Sequence, residues 1–213
     1  MLVAAFGLIL VVVLLGATTW FTAMGIAQVR RTRRMTRAAH QSGMLFFSKD
    51  PFDLPQRYGR FALMRSGHSP KANNVCHGRH AYGQLRSFDF RFELGHGTRR
   101  ISRHYVVVTA EADTPVPEVL MWHEDDLEFA PLEIREGARG KGRWVCSGDD
   151  AMVETVSKVF GSDYPHELSL ESHGQTLLAC IPCPKGSGWN LQDLTRRICR
   201  VLGEATGQEQ WGR

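Results

Sequence analysis

The sequence predicts an α+β protein: an N-terminal transmembrane helix, then an antiparallel sheet with two helices packed on one face. Three observations predict it. Leu2 to Ile26 is an uncharged apolar run, and Met1 to Val29 carries no charged side chain at all. Phe88, Phe90, Phe92 and Leu94 alternate with Ser87, Asp89, Arg91 and Glu93, the period-two signature of a strand with one buried face. The order of the remaining segments (strands, helix, hairpin, helix) never alternates strand with helix as a parallel sheet requires, so layering favours helices on an antiparallel sheet.

The first element is the apolar run. A helix rises about 1.5 Å per residue and a hydrocarbon core is about 30 Å thick, so roughly 20 residues cross it. The 25 residues of Leu2–Ile26 satisfy that length, and Trp20 and Phe21 sit toward the end where aromatic rings favour a headgroup region. No basic n-region precedes the run, which argues against a cleaved signal peptide. Five arginines follow at once: Arg30, Arg31, Arg33, Arg34 and Arg37. On the positive-inside rule they place the following domain in the cytoplasm, and they are candidates for contact with anionic lipid at a membrane surface. Ala23 and Ala27 form a small-xxx-small pair, a weak signal for helix pairing without GxxxG.

The resulting division is a transmembrane anchor over 1–29, a basic juxtamembrane connector over 30–43, a cytoplasmic α+β domain over 44–205 and a flexible tail over 206–213. The connector is expected to continue the helix to about Gln41 before Gly43 breaks it. Of the 26 Lys/Arg, the five in the cluster leave 21 against 22 Asp/Glu, so the domain is close to neutral. A nucleic-acid binder would carry its basic excess on the domain, and nucleic acid is therefore excluded as a partner. The expected partners are a lipid bilayer, through residues 2–26, and another protein of unknown identity.

Within the domain, Asp50-Pro51-Phe52-Asp53-Leu54-Pro55 reads as a turn-rich start. Phe61–Arg65 and Asn74–His77 read as short strands. Leu85–Leu94 and Ile101–Ala110 form a hairpin across Gly95-His96-Gly97, with Tyr105, Val107 and Thr109 on the opposite face from Val106 and Val108. Val119–Trp122 and Arg143–Cys146 are further strand candidates, Leu127–Ile134 is ambiguous, and Gly137–Gly142 is a basic loop. Ser147–Asp150 start a helix whose apolar face is Met152, Val153, Val156, Val159 and Phe160, ended by Gly161. Glu167–Glu171 and Thr176–Ile181 flank His173-Gly174 as a second hairpin. Asn190 caps a last helix with Leu191, Leu194, Ile198, Val201 and Leu202 on one face, ended near Gly203.

Pro51-Phe52-Asp53-Leu54-Pro55, Asn74-Val75-Cys76-His77-Gly78, Phe88-Asp89-Phe90-Arg91-Phe92 and Asp126-Leu127-Glu128-Phe129, after an N-terminal span, resemble an uncharacterised family of bacterial single-pass membrane proteins. That family carries an NV.G turn, an FDY.Y strand, a hairpin and a late LL strand, here Leu177-Leu178, before a final helix. Phe90 and Phe92 stand where its tyrosines are usual. The resemblance covers nearly the whole chain. It implies the architecture and brings no activity.

Chemical motifs are few. Cys180-Ile181-Pro182-Cys183 has the spacing of a redox dithiol or half a zinc site. A loop follows it, not a helix N-terminus, and there is no second CxxC; Cys199, Cys146 and His173 would have to complete a ligand set in space. The odd total of five cysteines argues against a disulfide framework. Cys76 and His77 are neighbours on a strand, so their side chains diverge. His80 reads as a surface histidine. His123-Glu124-Asp125-Asp126 reads as a solvated turn lacking metal-ligand spacing. Asp89 is expected to pair with Arg100 or Arg103 across the hairpin, and Gly137–Gly142 lacks the order of a phosphate-binding loop.

No catalytic residue is assigned and no cofactor is expected. The function this supports is a membrane-tethered interaction or scaffold domain without enzymatic activity. The alternatives are a thiol-redox or metal-dependent protein using Cys180 and Cys183, perhaps with Cys199, and a small-ligand or lipid-binding domain with Phe88, Phe90 and Phe92 lining a cavity.

Overall fold

The computed structural model describes residues 2–80, 83–129, 139–161, 164, 167–183 and 191–207. A single helix, α1 (Leu2–Gln41), leads into strand β1 (Leu45–Lys49), two one-turn helices, α2 (Leu54–Arg57) and α3 (Ala62–Arg65), and the long strands β2 (His68–His80), β3 (Gly83–Leu94) and β4 (Ile101–Ala112). Then come β5 (Val119–His123), β6 (Arg139–Lys141), β7 (Trp144–Gly148), helix α4 (Asp150–Val159), the hairpin β8 (Ser169–His173) and β9 (Thr176–Pro182), and helix α5 (Leu191–Ala205). The strands form one nine-stranded sheet in the order β1-β2-β3-β4-β9-β8-β5-β7-β6. Every pairing is antiparallel.

Both faces of this sheet are buried. On one, Phe88, Phe90 and Phe92 of β3 pack with Leu54, Tyr58, Phe61 and Leu63 of the α2–α3 segment, with Tyr105 and with Trp122. On the other, Val106 and Val108 of β4 and Ile181 of β9 pack beneath Met35 and Ala39 of α1, Met152 and Val156 of α4, and Leu194, Ile198 and Val201 of α5. The helices α4 and α5 thus share one face, together with the C-terminal third of α1.

Local chemistry accounts for the ends of these elements. The Asp149 carboxylate accepts from the Met152 amide and caps α4. At the other end of α4, Arg143 donates to the carbonyls of Phe160, Gly161 and Tyr164, and Arg197 donates to Val159. Cations favour that end of a helix dipole. Asp50 accepts from the Phe52 and Leu54 amides and fixes the turn before α2.

The anchor expectation is not upheld: among the described residues no helix is long and apolar enough to cross a membrane. The transmembrane part of the expected fold class therefore falls, and the single-pass topology and cytoplasmic placement built on it lose their basis. The expected continuation of the helix through the basic segment is what the structure has: α1 runs unbroken from Leu2 to Gln41, and Gly43 takes a positive φ of 65°.

Further differences are local. Phe61–Arg65, expected as a strand, is the one-turn helix α3 after Phe61. Five apolar-rich residues do not distinguish a strand from a helix turn, and here the packing of Leu63 and Phe61 decides. Gly137–Gly142, expected as a loop, holds the short strand β6 over Arg139–Lys141, with Gly142 turning the chain into β7. Helix α5 runs through Gly203 to Ala205. The Asn190 cap, the 130–134 part of the ambiguous segment, Gly137 and Ala138, and the 208–213 part of the tail lie outside the described residues.

The aromatic face sets the stability of the long hairpin. Phe90 is fully buried between Phe92 and its neighbours, with the Phe90 and Phe92 ring centroids 5.8 Å apart. Phe90→Ala is expected to cost about 3–5 kcal/mol, read as a lowered urea midpoint at unchanged slope; a loss below about 1 kcal/mol would show that this face is not close-packed.

Candidate functional site, the junction of α1 with the sheet

A polar arrangement that ties four separate elements together lies where α1 meets β2, β3 and β9. It begins with an irregularity in β2. The register between β2 and β3 shifts between Asn73 and Cys76, and Asn74 adopts φ 49°. Asparagine is among the few residues that accept this left-handed conformation. The bulge turns the buried Asn74 side chain toward α1, where its amide donates to Asp89 at 2.8 Å and its carbonyl oxygen accepts from Thr32 at 3.1 Å.

Asp89 in turn receives Arg31. The Arg31 Nε donates to Asp89 Oδ2 at 2.7 Å and a terminal nitrogen donates to Oδ1, a two-point contact. Guanidinium matches carboxylate in this planar fork, so the pair fixes orientation as well as position. The other terminal nitrogen of Arg31 reaches the Cys183 thiol at the end of β9. The hydrogen bonds it donates to Asp89 hold the Arg31 guanidinium firmly protonated despite its burial. Met35, one turn further on, and Ala39 after it are fully buried against the sheet, and Cys76 Sγ lies 3.9 Å from the Met35 carbonyl. Residues 31, 35 and 39, four apart, form the docking stripe of the helix.

The expectation that Asp89 pairs with Arg100 or Arg103 is thereby corrected. Arg100 pairs with Glu93, and Asp89 belongs to Arg31, which is 58 positions away. Alternation correctly set Asp89 on the face opposite the phenylalanines, but that face is covered by α1 and is not solvent. The five arginines also divide. Arg31 is the structural one, whereas Arg30, Arg33, Arg34 and Arg37 are exposed.

The cysteines do not converge. Cys180 lies in the aromatic-face core and Cys199 in the helix-face core, while Cys183 stands beside Arg31. Cys180 and Cys183 point to opposite faces of the sheet, so the CxxC spacing does not make a dithiol. All five cysteines are free thiols. Burial pushes Cys76 up to about 11 and Cys199 up to about 12, and it raises Cys146 and Cys180 as well. Burial also raises Cys183, with Arg31 opposing it. These are protonated, poorly nucleophilic thiols. Among the described residues no group of three His, Cys, Asp or Glu side chains is placed to hold a metal ion. Cys76 and His77 diverge; His77 packs against Phe52, ring centroids 5.0 Å apart.

Two carboxylates, the half-buried Glu111 and the buried Asp126, were not singled out in the sequence for what they do. Glu111 accepts from Tyr58 at 3.0 Å and pairs with the buried Arg86 at 2.9 Å and with Arg57 at 3.1 Å. Burial pushes its carboxyl up, but Arg86, Tyr58 and Arg57 together outweigh that and hold it low. Asp126, read as part of a solvated turn, is buried instead and accepts from Tyr105 at 3.2 Å. Burial first, opposed by the Tyr105 hydrogen bond and aided by Glu167, raises it from 3.8 to about 6. Neither residue had a local sequence signal, because its partners come from other elements.

Phe88, Phe90 and Phe92 fill the core instead of lining a cavity. Tyr58 stacks on Phe88 and Tyr105 stacks on Phe92, with centroids 6.4 and 5.8 Å apart. A shallow crevice at the opposite end of β3 is lined by His80, Leu85, Ala110, Glu111, Cys199 and Leu202.

Fold and site together define a two-faced antiparallel sheet protein that clamps the foot of a long, largely uncovered apolar helix. No family model matches the chain, and no curated protein matches its sequence. One solved structure does match: the mycobacterial trehalose monomycolate transport factor A, TtfA, with a TM-score of 0.51 at 14% identity, over 82% of this chain and 92% of that one. At that identity the likeness is one of fold.

Two outcomes follow from these networks. Arg31→Gln and Asp89→Asn should each destabilise the half-buried pair by about 1–3 kcal/mol, and the double variant should cost less than the sum by 0.5 kcal/mol or more; additive losses in chemical denaturation would mean that the pair is not coupled. Asp126 has a folded-state value above its unfolded one, so its contribution is complete below about 3.8 and is lost as pH rises through about 6. Stability should fall by up to about 3 kcal/mol over that window, and Asp126→Asn should flatten the fall; an identical pH profile in the variant would contradict the assignment.

Proposed function

We propose that this chain is a non-catalytic interaction protein that binds lipid through the exposed apolar surface of α1, with the sheet domain serving as its rigid mount. The observation that carries the reading is the surface of the helix. Phe6, Ile9, Leu10, Val11, Val12, Val13, Leu14, Leu15, Trp20, Phe21, Ile26 and Val29 are all about half exposed or more. An uncovered apolar surface of this extent marks an interaction site. Thr18, Thr19 and Thr22 turn their hydroxyls back onto carbonyls of the preceding turn, so these three hydroxyls are satisfied within the helix.

The likeness in fold to a factor named for trehalose monomycolate transport supports a lipid-related role. Filled cores on both sheet faces favour the helix surface over an interior cavity as the place of binding. The separated, protonated cysteines speak against the thiol and metal alternatives. A protein partner, if there is one, has the sheet domain available to it, and the near-neutral domain argues against nucleic acid.

The full chain, mixed with phosphatidylcholine vesicles as detergent is removed, should float with them on a density gradient. Val12→Glu combined with Leu15→Glu should weaken that partition by on the order of ten-fold or more, since each apolar side chain contributes roughly 1.5–3 kcal/mol. Wild-type chain left at the bottom of the gradient, folded and lipid-free, would remove this reading.

A further inference from the structure

Arg30, Arg33, Arg34 and Arg37 follow one another at i, i+3, i+4 and i+7, so they form a single stripe along α1. The docking stripe of Arg31, Met35 and Ala39 lies on another side of the same turns and is held against the sheet. The four are exposed, and no described carboxylate pairs with any of them. Four unneutralised guanidinium groups within eight residues are a concentration of charge that the rest of the chain does not offset locally.

We infer that this stripe is a docking surface for the phosphate groups of anionic lipid headgroups. The inference rests on the lipid-binding reading above and names the headgroup chemistry that the same helix selects. The four arginines begin one residue after the uncharged, apolar part of α1 ends at Val29, without a break in the helix. The stripe therefore adjoins the apolar surface that the lipid-binding reading gives to acyl chains, where the headgroup phosphates of the same lipids lie. The Arg31–Asp89–Asn74 contact fixes how the helix is rotated and keeps the stripe turned away from the sheet. Arginine suits the ligand, because its planar fork donates two hydrogen bonds to one phosphate. The stripe has no interleaved aromatic side chains on which bases would stack, so a lipid phosphate is favoured over nucleic acid.

The test compares the full chain with an Arg30→Gln/Arg33→Gln/Arg34→Gln/Arg37→Gln variant, which keeps good helix formers at exposed positions. Each is partitioned between phosphatidylcholine vesicles and vesicles mixed with phosphatidylglycerol. Each arginine near an anionic surface contributes about a five-fold gain, so wild type should prefer the anionic vesicles by on the order of a hundred-fold or more at low salt. The preference should shrink as salt rises, and the variant should lose it while still binding phosphatidylcholine. Equal binding of wild type to both vesicle types would overturn the headgroup assignment and leave lipid binding intact. Binding to neither would overturn both. Binding of a duplex oligonucleotide as tight as that of anionic vesicles would overturn the lipid assignment in favour of a general polyanion surface.

Discussion

The arrangement of this protein depends on one half-buried ion pair, Arg31 with Asp89. Without it α1 would be held to the sheet by Met35, Ala39 and the single Thr32–Asn74 hydrogen bond, a contact with much less to define rotation. The guanidinium supplies direction. It meets the carboxylate at two points, leans on Cys183, and is completed by Asn74, whose left-handed backbone and bulged strand exist at the one place where the sheet must reach up to the helix. Asp89 has its charge satisfied from both the helix and its own sheet, which is what makes a carboxylate tolerable on a covered face.

That constraint organises the rest. A helix held at its foot projects its first two thirds away from the domain, so its apolar side chains remain uncovered. The same hold turns four arginines outward. Beneath it, α4 and α5 extend the cover across β4, β9 and β8, while the α2–α3 segment seals the aromatic face. With both faces filled, the domain offers no chemistry of its own at its thiols. Its carboxylates Glu111, Glu171 and Asp126 serve as internal joints: Glu171, for instance, accepts the Ala62 amide at 2.7 Å and holds α3 to β8.

Much of the sheet was legible because period-two alternation is a local property. Phe88–Leu94 and the returning Ile101–Ala110 announced the central hairpin, and the apolar faces of α4 and α5 were visible at helical spacing. What escaped was non-local. Alternation assigned Ser87 and Asp89 to a polar face, but only the tertiary path of α1 shows that face to be covered and the Asp89 charge to be internally satisfied. β2 runs from His68 to His80 with Pro70 and a bulge inside it, and such interruptions hide a strand from pattern reading. Apolar length, flanking aromatics and the arginines behind them suggested a crossing helix, whereas the continuation of that helix to Gln41 was legible. The five arginines looked equivalent in sequence, and packing separates Arg31 from the others.

Hydrogen exchange along α1 of the full chain tests the docking most directly. If Arg31 and its partners clamp the helix, amides from about 31 to 39 exchange as slowly as those of β3 and β4, because they open only when the sheet does. Fast exchange through 31–39 while β3 and β4 remain protected would show a helix that merely rests on the domain, and the account of its orientation would fail.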